Sequence, residues 1–289
     1  MGHGGKMKLG VLFNTDRLEG AEFLRYAQQI DELGYESLWL PELFTRDPFA
    51  ASAYVLANTC RVNLATGIAN IYGRDPLATV SAASTLAELS DGRFMLGLGV
   101  SNAQLNAARG HAWEKPVSKI TDYLQAMAKV KLTCPQAEFP VYIAAHGPNM
   151  LATAAAHSDG ANTYLMPHAH VGEARDALGS DATLNTMLFC LADEDPESAR
   201  ATARKAIAYY VGLDYYHRAW RGFGFTDDDF TQGGSDRLVD AVVAWGSPDT
   251  VRGRINAQFE AGATRVVVIP VGKGHGGQPD WELLQQLQD

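Results

Sequence analysis

The sequence predicts an α/β protein folded as one (β/α)8 barrel of the TIM type, with a helical insertion before its last βα elements. Three observations predict it. Short apolar runs that fit buried strands alternate with helix-periodic segments about eight times, the rhythm of a parallel barrel. The chain has 289 residues and is 46% hydrophobic, enough for a large core and a common size for a one-domain barrel. No linker, low-complexity tract or short repeat divides it, so residues 1–289 read as one domain. An open doubly wound sheet shares the alternation, so rhythm alone does not choose between the two.

The first strand is KLGVLF (8–13), followed by EGAEFLRYAQQIDELG (19–34), where Phe23, Ala27, Ile30 and Leu33 recur on one helical face and Gly34 suits a left-handed end. ESLWLP (36–41) is a second strand closed by Pro41. DPFAASAYVLANT (47–59) opens with Asp47 as N-cap and Pro48 in the first turn. RVNLATGI (61–68) is the third strand, and DPLATVSAASTLAELSDG (75–92) repeats the Asp-Pro start. RFMLGLGV (93–100) is the fourth strand; an irregular stretch, 101–116, precedes the helix VSKITDYLQAMAKV (117–130). FPVYIAA (139–145), GPNMLATAAAHS (147–158), GANTYLM (160–166) and a short helix near 170–178 continue the pattern. ATLNTMLFCLA (182–192) and PESARATARKAIAYYV (196–211) follow. Residues 212–246 read as inserted helical material around a solvated acidic turn, TDDDF, before the helix 247–263 and the strand RVVVIPV (265–271).

Composition narrows the function. The formal net charge of −9, with Lys and Arg spread along the chain, gives no phosphate-backbone footprint and argues against nucleic-acid binding. Cys60, Cys134 and Cys190 are widely spaced and fit a reducing compartment. No apolar run is long enough to cross a bilayer, and MGHGGKMK has no apolar signal core, so a cytoplasmic protein is expected.

In a parallel barrel the C-terminal strand ends form the active face. They are FNTD (13–16), LPELF (40–44), GIANIYGR (67–74), GVSNAQL (99–105), AAHGPN (144–149), YLMPHAH (164–170), LADED (191–195) and PVGKGHG (270–276). AAHGPNM reads as an anion site, because Gly147 permits close approach and Pro148 starts a helix whose N–H groups point outward; an ordinary tight turn is the competing reading. The glycines of GLGVSN (97–102) let a flat ring approach the backbone or simply fit a packed core. Glu42 is placed to bind substrate or relay a proton, or else to pair with Arg46. Asp193, Glu194 and Asp195 read as the acidic first turn of a helix. His168 and His170 have a chelating spacing with no third ligand apparent nearby, so no metal is expected. Neither a P-loop, a GxSxG elbow nor a GxGxxG turn is present.

ATGIANIYGRDPLATVSAASTLAELSDGRFMLGLGVS and VYIAAHGPNMLATAAAHSDGANTYLM together resemble the luciferase-like superfamily of flavin and deazaflavin oxidoreductases. GFTDDD, GSDRLVDAVVAWG and AGATRVVVIPV are similar to a branch assigned to the deazaflavin coenzyme F420. The resemblance spans nearly the whole chain. It implies a luciferase-like barrel with the cofactor across the strand ends, and a hydride passed to or from a small organic substrate. It implies a bulge with a non-proline cis peptide between Gly67 and Ile68, behind the ring, with Asn70 at the ring's polar edge. Gly99, Val100 and Ser101 correspond to backbone contacts near the ring, and Ala144, Ala145, His146 and Gly147 to the phosphate-tail loop. His146 stands where relatives tend to have a small residue. Glu42 and Asn102 fall where a superfamily dehydrogenase carries its catalytic pair, although the residue types differ and Asn is no ordinary acid or base. Trp39, Tyr72, Arg109, His111, Trp113 and Tyr164 are expected to line the open substrate side. A homodimer is expected through the small-residue helices after strands two and three. An FMN-dependent monooxygenase and a non-catalytic cofactor carrier are the alternatives.

Overall fold

A computed structural model describes residues 7–44, 46–133, 137–272 and 278–289. The first strands in chain order are β1 (Leu9–Leu12), β2 (Ser37–Leu40), β3 (Asn63–Thr66), its continuation β4 (Ala69–Asn70), β5 (Phe94–Gly99), β6 (Val141–Ala144) and β7 (Gly160–Tyr164). The long β8 (Thr183–Ala192), the short β9 (Val243–Gly246) and β10 (Arg265–Pro270) complete the sheet. All pairings are parallel, and β10 bonds both β8 and β1, so the sheet closes on itself and the open-sheet alternative falls away.

The helices follow their strands on the outside: α1 (Gly20–Leu33), α2 (Pro48–Ala57), α3 (Pro76–Leu89), α4 (Ala103–Ala108), α5 (Pro116–Met127), α6 (Pro148–His157) and α7 (Ala169–Leu178). The second half carries α8 (Pro196–Val211), α9 (Asp214–Arg221), α10 (Asp236–Val242), α11 (Pro248–Glu260) and α12 (Trp281–Gln286). The Asp-Pro starts work as the sequence implies. The Asp47 carboxylate accepts the N–H groups of Phe49 and Ala50, and Asp75 accepts that of Ala78. Gly34 ends α1 at φ 80°, a left-handed conformation that favours glycine.

Alternation along each strand separates two cores. Leu38, Leu40, Leu64, Leu96 and Ile143 point outward to the helices, whereas Leu12, Trp39, Ala65, Met95, Tyr142 and Met187 fill the barrel. Trp39 therefore does not line the open side. It is fully buried, its Nε1 donates to Ser37 Oγ (2.9 Å), and its ring stacks on Tyr142 with centroids 6.4 Å apart. A glycine makes this possible, since a Cβ at Gly10 would lie 2.9 Å from Trp39 Nε1. Lower in the barrel, Arg265 pairs with Glu36 (2.7 Å) and donates to Asn185 Oδ1 (2.6 Å), which satisfies a buried cation.

Three local expectations are corrected. The stretch 101–116 contains α4, capped by Asn102. SDRLVDAVVAWG is not continuous helix: Val243–Gly246 form β9, because the β-branched run finds an unpaired edge on β8 at Phe189–Ala192. The acidic turn is a 3-10 helix, Asp227–Phe230, in which Asp229 is buried rather than solvated. Its carboxylate accepts the Thr226 N–H (2.8 Å), the Ser235 hydroxyl (2.7 Å) and Arg237, and the Arg237 pairing holds its pKa far below the usual carboxylate range.

Candidate active site at the barrel mouth

The third strand changes register as it leaves the sheet. Ala65 pairs with Met95 and Ala69 with Leu98, so four steps along one strand meet three along its neighbour. One residue is extra, which is a bulge. It falls on Thr66–Ile68, and the Gly67–Ile68 peptide bond is cis. Gly67 lacks a side chain where Trp39 packs: a Cβ there would lie 3.2 Å from Trp39 Cε3. The Ile68 side chain swings over β5, since a Cβ at Gly99 would lie 2.9 Å from Ile68 Cδ1 and 3.3 Å from Ala144 Cβ. Gly67, Ile68, Gly99 and Ala144 thus meet in one apolar floor.

Glu42 holds this bulge. Its backbone N–H donates to Ile68 O (3.3 Å), and its Oε2 accepts the Asn70 N–H (2.9 Å). Arg109 Nη1 lies 3.0 Å from Oε1, and Arg74 Nη1 lies 3.3 Å from Oε2. Arg74 also pairs with Asp47, and Arg109 Nη2 donates to Leu43 O (2.8 Å). Arg46 is not the partner; it donates to Thr15 O and Leu18 O. The Glu42 carboxylate is thus largely enclosed between two guanidiniums, one of them from Arg109.

Asn70 is likewise committed. It is buried, its Nδ2 donates to Asn106 Oδ1 (2.8 Å), and its Oδ1 accepts the Tyr72 N–H (3.1 Å). Asn106 Nδ2 donates in turn to Val100 O (2.7 Å). Both side-chain ends of Asn70 therefore brace the turn. Asn102 accepts the Leu105 N–H as the α4 cap and donates to Tyr209 Oη (3.0 Å), a structural duty and not an acid or base. Ser101 has φ 58°, which turns the chain sharply after Val100.

The loop after β6 runs along the floor's far edge. Ala145 is buried, and Gly147 is the N-cap of α6, at φ −94° with no side-chain cap. Among the described residues a Cβ at Gly147 would meet nothing within 4 Å, so the helix N-terminus is open on that side. His146 turns its ring toward Tyr216, with centroids 5.5 Å apart, and its buried Nδ1 has no partner among the described residues. Burial lowers its pKa to about 3, so the imidazole is neutral. His170 Nε2 holds the His146 carbonyl at 2.7 Å. His170 is buried while His168 is exposed, and among the described residues no group of three metal-ligating side chains gathers.

The opposite wall is aromatic. Tyr164 Oη donates to Tyr210 Oη (2.8 Å), Tyr210 packs at 5.7 Å from Tyr216, and Tyr216 stacks on Trp220 at 5.2 Å. Burial, and then the neighbouring phenol of Tyr210 for Tyr164 and of Tyr215 for Tyr216, pushes these two phenols far above the usual tyrosine range. The remaining expected substrate residues gather elsewhere. Tyr72 stacks on Trp113 (6.0 Å) and packs beside His111 (5.7 Å), and Tyr72 and His111 line a groove of about 400 Å³ with Arg74, Lys119 and Tyr123. A second groove, about 470 Å³, lies over Asp193, Glu194 and Asp195 beside α12. PVGKGHG lies largely outside the described residues.

Sequence reading missed Arg74, Asn106, Tyr209, Tyr210 and Tyr216 as site residues, and weighed His170 only as a metal ligand, where it instead holds the His146 carbonyl. Arg74 sat in a quoted motif, and the tyrosines form the dense run YYVGLDYY (209–216), a signal available without coordinates.

Residues 7–265 match the sequence profile of luciferase-like monooxygenases. The chain is 26% identical to the 5,10-methylenetetrahydromethanopterin reductase of Methanolobus tindarius, over 86% of this chain and 90% of that protein. It is 26% identical to an F420-dependent glucose-6-phosphate dehydrogenase of Kineococcus radiotolerans, over 55% of this chain and 56% of that one. Its fold superposes with a TM-score of 0.76 on the coenzyme F420 dependent tetrahydromethanopterin reductase from Methanopyrus kandleri, at 19% identity and covering 98% of both chains. With the profile match spanning nearly the whole barrel, the chain belongs to the luciferase-like monooxygenase family.

Proposed function

We propose that this protein is a coenzyme F420-dependent oxidoreductase that transfers a hydride between the deazaflavin and a small organic substrate. The observation that carries the reading is the continuity of the apolar floor with the uncapped N-terminus of α6. Ile68 over Gly99 and Ala144 offers a flat apolar backing for a ring system. The open space at Gly147 then receives a phosphate on free N–H groups. The group fits these residues in shape and in charge, with His146 neutral beside the anion. The F420-dependent relative supports the choice of cofactor, and FMN is the alternative within the same family.

When bound, the deazaflavin supplies or accepts the hydride. The protein's part is to hold and orient: Gly67, Ile68, Gly99, Val100 and Ser101 behind the ring, and Ala144, Ala145, His146 and Gly147 along the tail. Tyr164 on one side, and Tyr72 and His111 in their own groove with Trp113 stacked on Tyr72, are the candidate substrate contacts.

We also propose a cytoplasmic homodimer. Tyr54 on α2, with Leu77 and Leu89 on α3, exposes apolar area on neighbouring helices. A monomer by light scattering at micromolar concentration would remove that proposal.

Titrating the apo-protein with F420 and with FMN tests the cofactor, with fluorescence as the readout. Micromolar or tighter F420 binding and at least tenfold weaker FMN binding are expected. The reverse order would make this an FMN enzyme, and binding of both without turnover on any substrate would make it a carrier.

A further inference from the structure

We infer that Glu42 is a positioning residue that sets the shape of the Thr66–Asn70 bulge, and through it the direction of Ile68 at the barrel mouth. The inference deepens the proposed function and rests on it for the identity of the cofactor. A bulge takes a strand out of register and leaves backbone groups without ladder partners. Here one residue supplies two of them. The Glu42 N–H caps Ile68 O on one side of the bulge, and the Glu42 carboxylate receives the Asn70 N–H on the other. The Gly67 N–H completes the grip on the carbonyl of Leu40, two residues before Glu42.

The carboxylate is itself fixed. Its side chain is 9% exposed, and the two guanidiniums reach it from different segments, Arg74 after β4 and Arg109 after α4. Gly73 leaves room for this arrangement, since a Cβ there would lie 3.3 Å from Glu42 Oε1. Charge-assisted bonds of this kind are short and directional. They convert a flexible strand end into a rigid one and deliver Ile68 onto Gly99 and Ala144. Both carboxylate oxygens are engaged by the protein: Oε1 by Arg109, and Oε2 by Arg74 and the Asn70 N–H.

The test compares Glu42→Ala, which removes the acceptor, with Glu42→Gln, whose amide oxygen still accepts the Asn70 N–H. In the apo-protein, hydrogen exchange at the Asn70 amide should speed at least tenfold in the Ala variant and return most of the way in the Gln variant. F420 affinity, read by fluorescence, should follow the same order: at least tenfold weaker for Ala and within about threefold of wild type for Gln. The pH dependence of kcat should keep the same limbs in the Gln variant. Unchanged exchange and affinity in the Ala variant would overturn the inference. So would a Gln variant that binds F420 normally while kcat falls 100-fold with loss of a pH limb, because that is the signature of proton transfer. Wild-type protein that fails to bind F420 would sink the cofactor reading alone, while the exchange arm still decides whether Glu42 shapes the bulge.

Discussion

The two sides of the barrel mouth are built from opposite materials. On the β2–β5 side, Glu42, Arg74, Arg109, Asn70 and Asn106 form a polar, directional web around an irregular strand. On the β7–α9 side, Tyr164, Tyr210, Tyr216 and Trp220 stack on regular elements with few polar bonds. The difference follows from the backbone. A regular strand satisfies its own N–H and C=O groups, so packing alone can cover it. A bulged strand leaves groups over, and only side chains with fixed geometry can take them. Here the irregular strand draws a polar web around it, and the regular strands do not.

The largest effect that probes this contrast is on the aromatic side. Trp220 is fully buried, and its Nε1 donates to Leu165 O (2.9 Å) at a residue with φ 57°. Trp220→Ala should cost about 3–5 kcal/mol of stability, as large core truncations do. Urea unfolding measures it, and a loss below about 1 kcal/mol would mean that the wall carries little of the fold.

Gly147 sits where the two sides meet. Its φ of −94° suits any residue, and an added Cβ would meet no other part of the described residues within 4 Å. Gly147→Val should therefore leave the melting temperature nearly unchanged while weakening F420 binding at least tenfold, about 1.4 kcal/mol or more. A normal dissociation constant in a folded variant would move the phosphate away from α6.

The third prediction concerns pH. Burial lowers the His146 pKa from 6.5 to about 3. Below pH 6.5 the unfolded chain takes up a proton that the folded chain refuses, so stability falls as pH drops through the window from 6.5 toward about 3. The expected contribution is on the order of 1 kcal/mol per pH unit. Urea midpoints at pH 7 and pH 5 should converge in His146→Leu relative to wild type. An equal acid sensitivity in both proteins would show that the ring stays solvated.

The smallest expected effect is on the bridge between the sides. Asn102→Ala removes the α4 cap and the bond to Tyr209, and should cost about 1 kcal/mol. A larger loss, measured by the same unfolding experiment, would mean that Tyr209 couples the two walls.

Much of the frame was legible in the chain. Eight barrel strands, the Asp-Pro helix starts at Asp47 and Asp75, and the insertion after α8 follow from local signals: apolar runs, caps and breakers act within a few residues of themselves. The family motifs carried the cis bond at Gly67 and the grouping of Ile68, Gly99 and Ala144. The partners of Glu42 were not legible. Arg46, four positions away, is the nearer candidate in sequence, yet Arg74 and Arg109 reach the carboxylate across 32 and 67 residues. Trp39 was misplaced for a related reason. Its strand position was right, but which face of β2 points into the barrel depends on Gly10 and Gly67 leaving room for the ring. The strand β9 needed the exposed edge of β8 before its Val-Ala-Trp-Gly run could become sheet. The sequence by itself thus determined the elements and their order, because propensity, capping and periodicity are local. Only the tertiary structure decided which charges meet, which aromatic ring is core, and which glycine makes space, because those depend on closure of the barrel and bring together residues far apart in the chain.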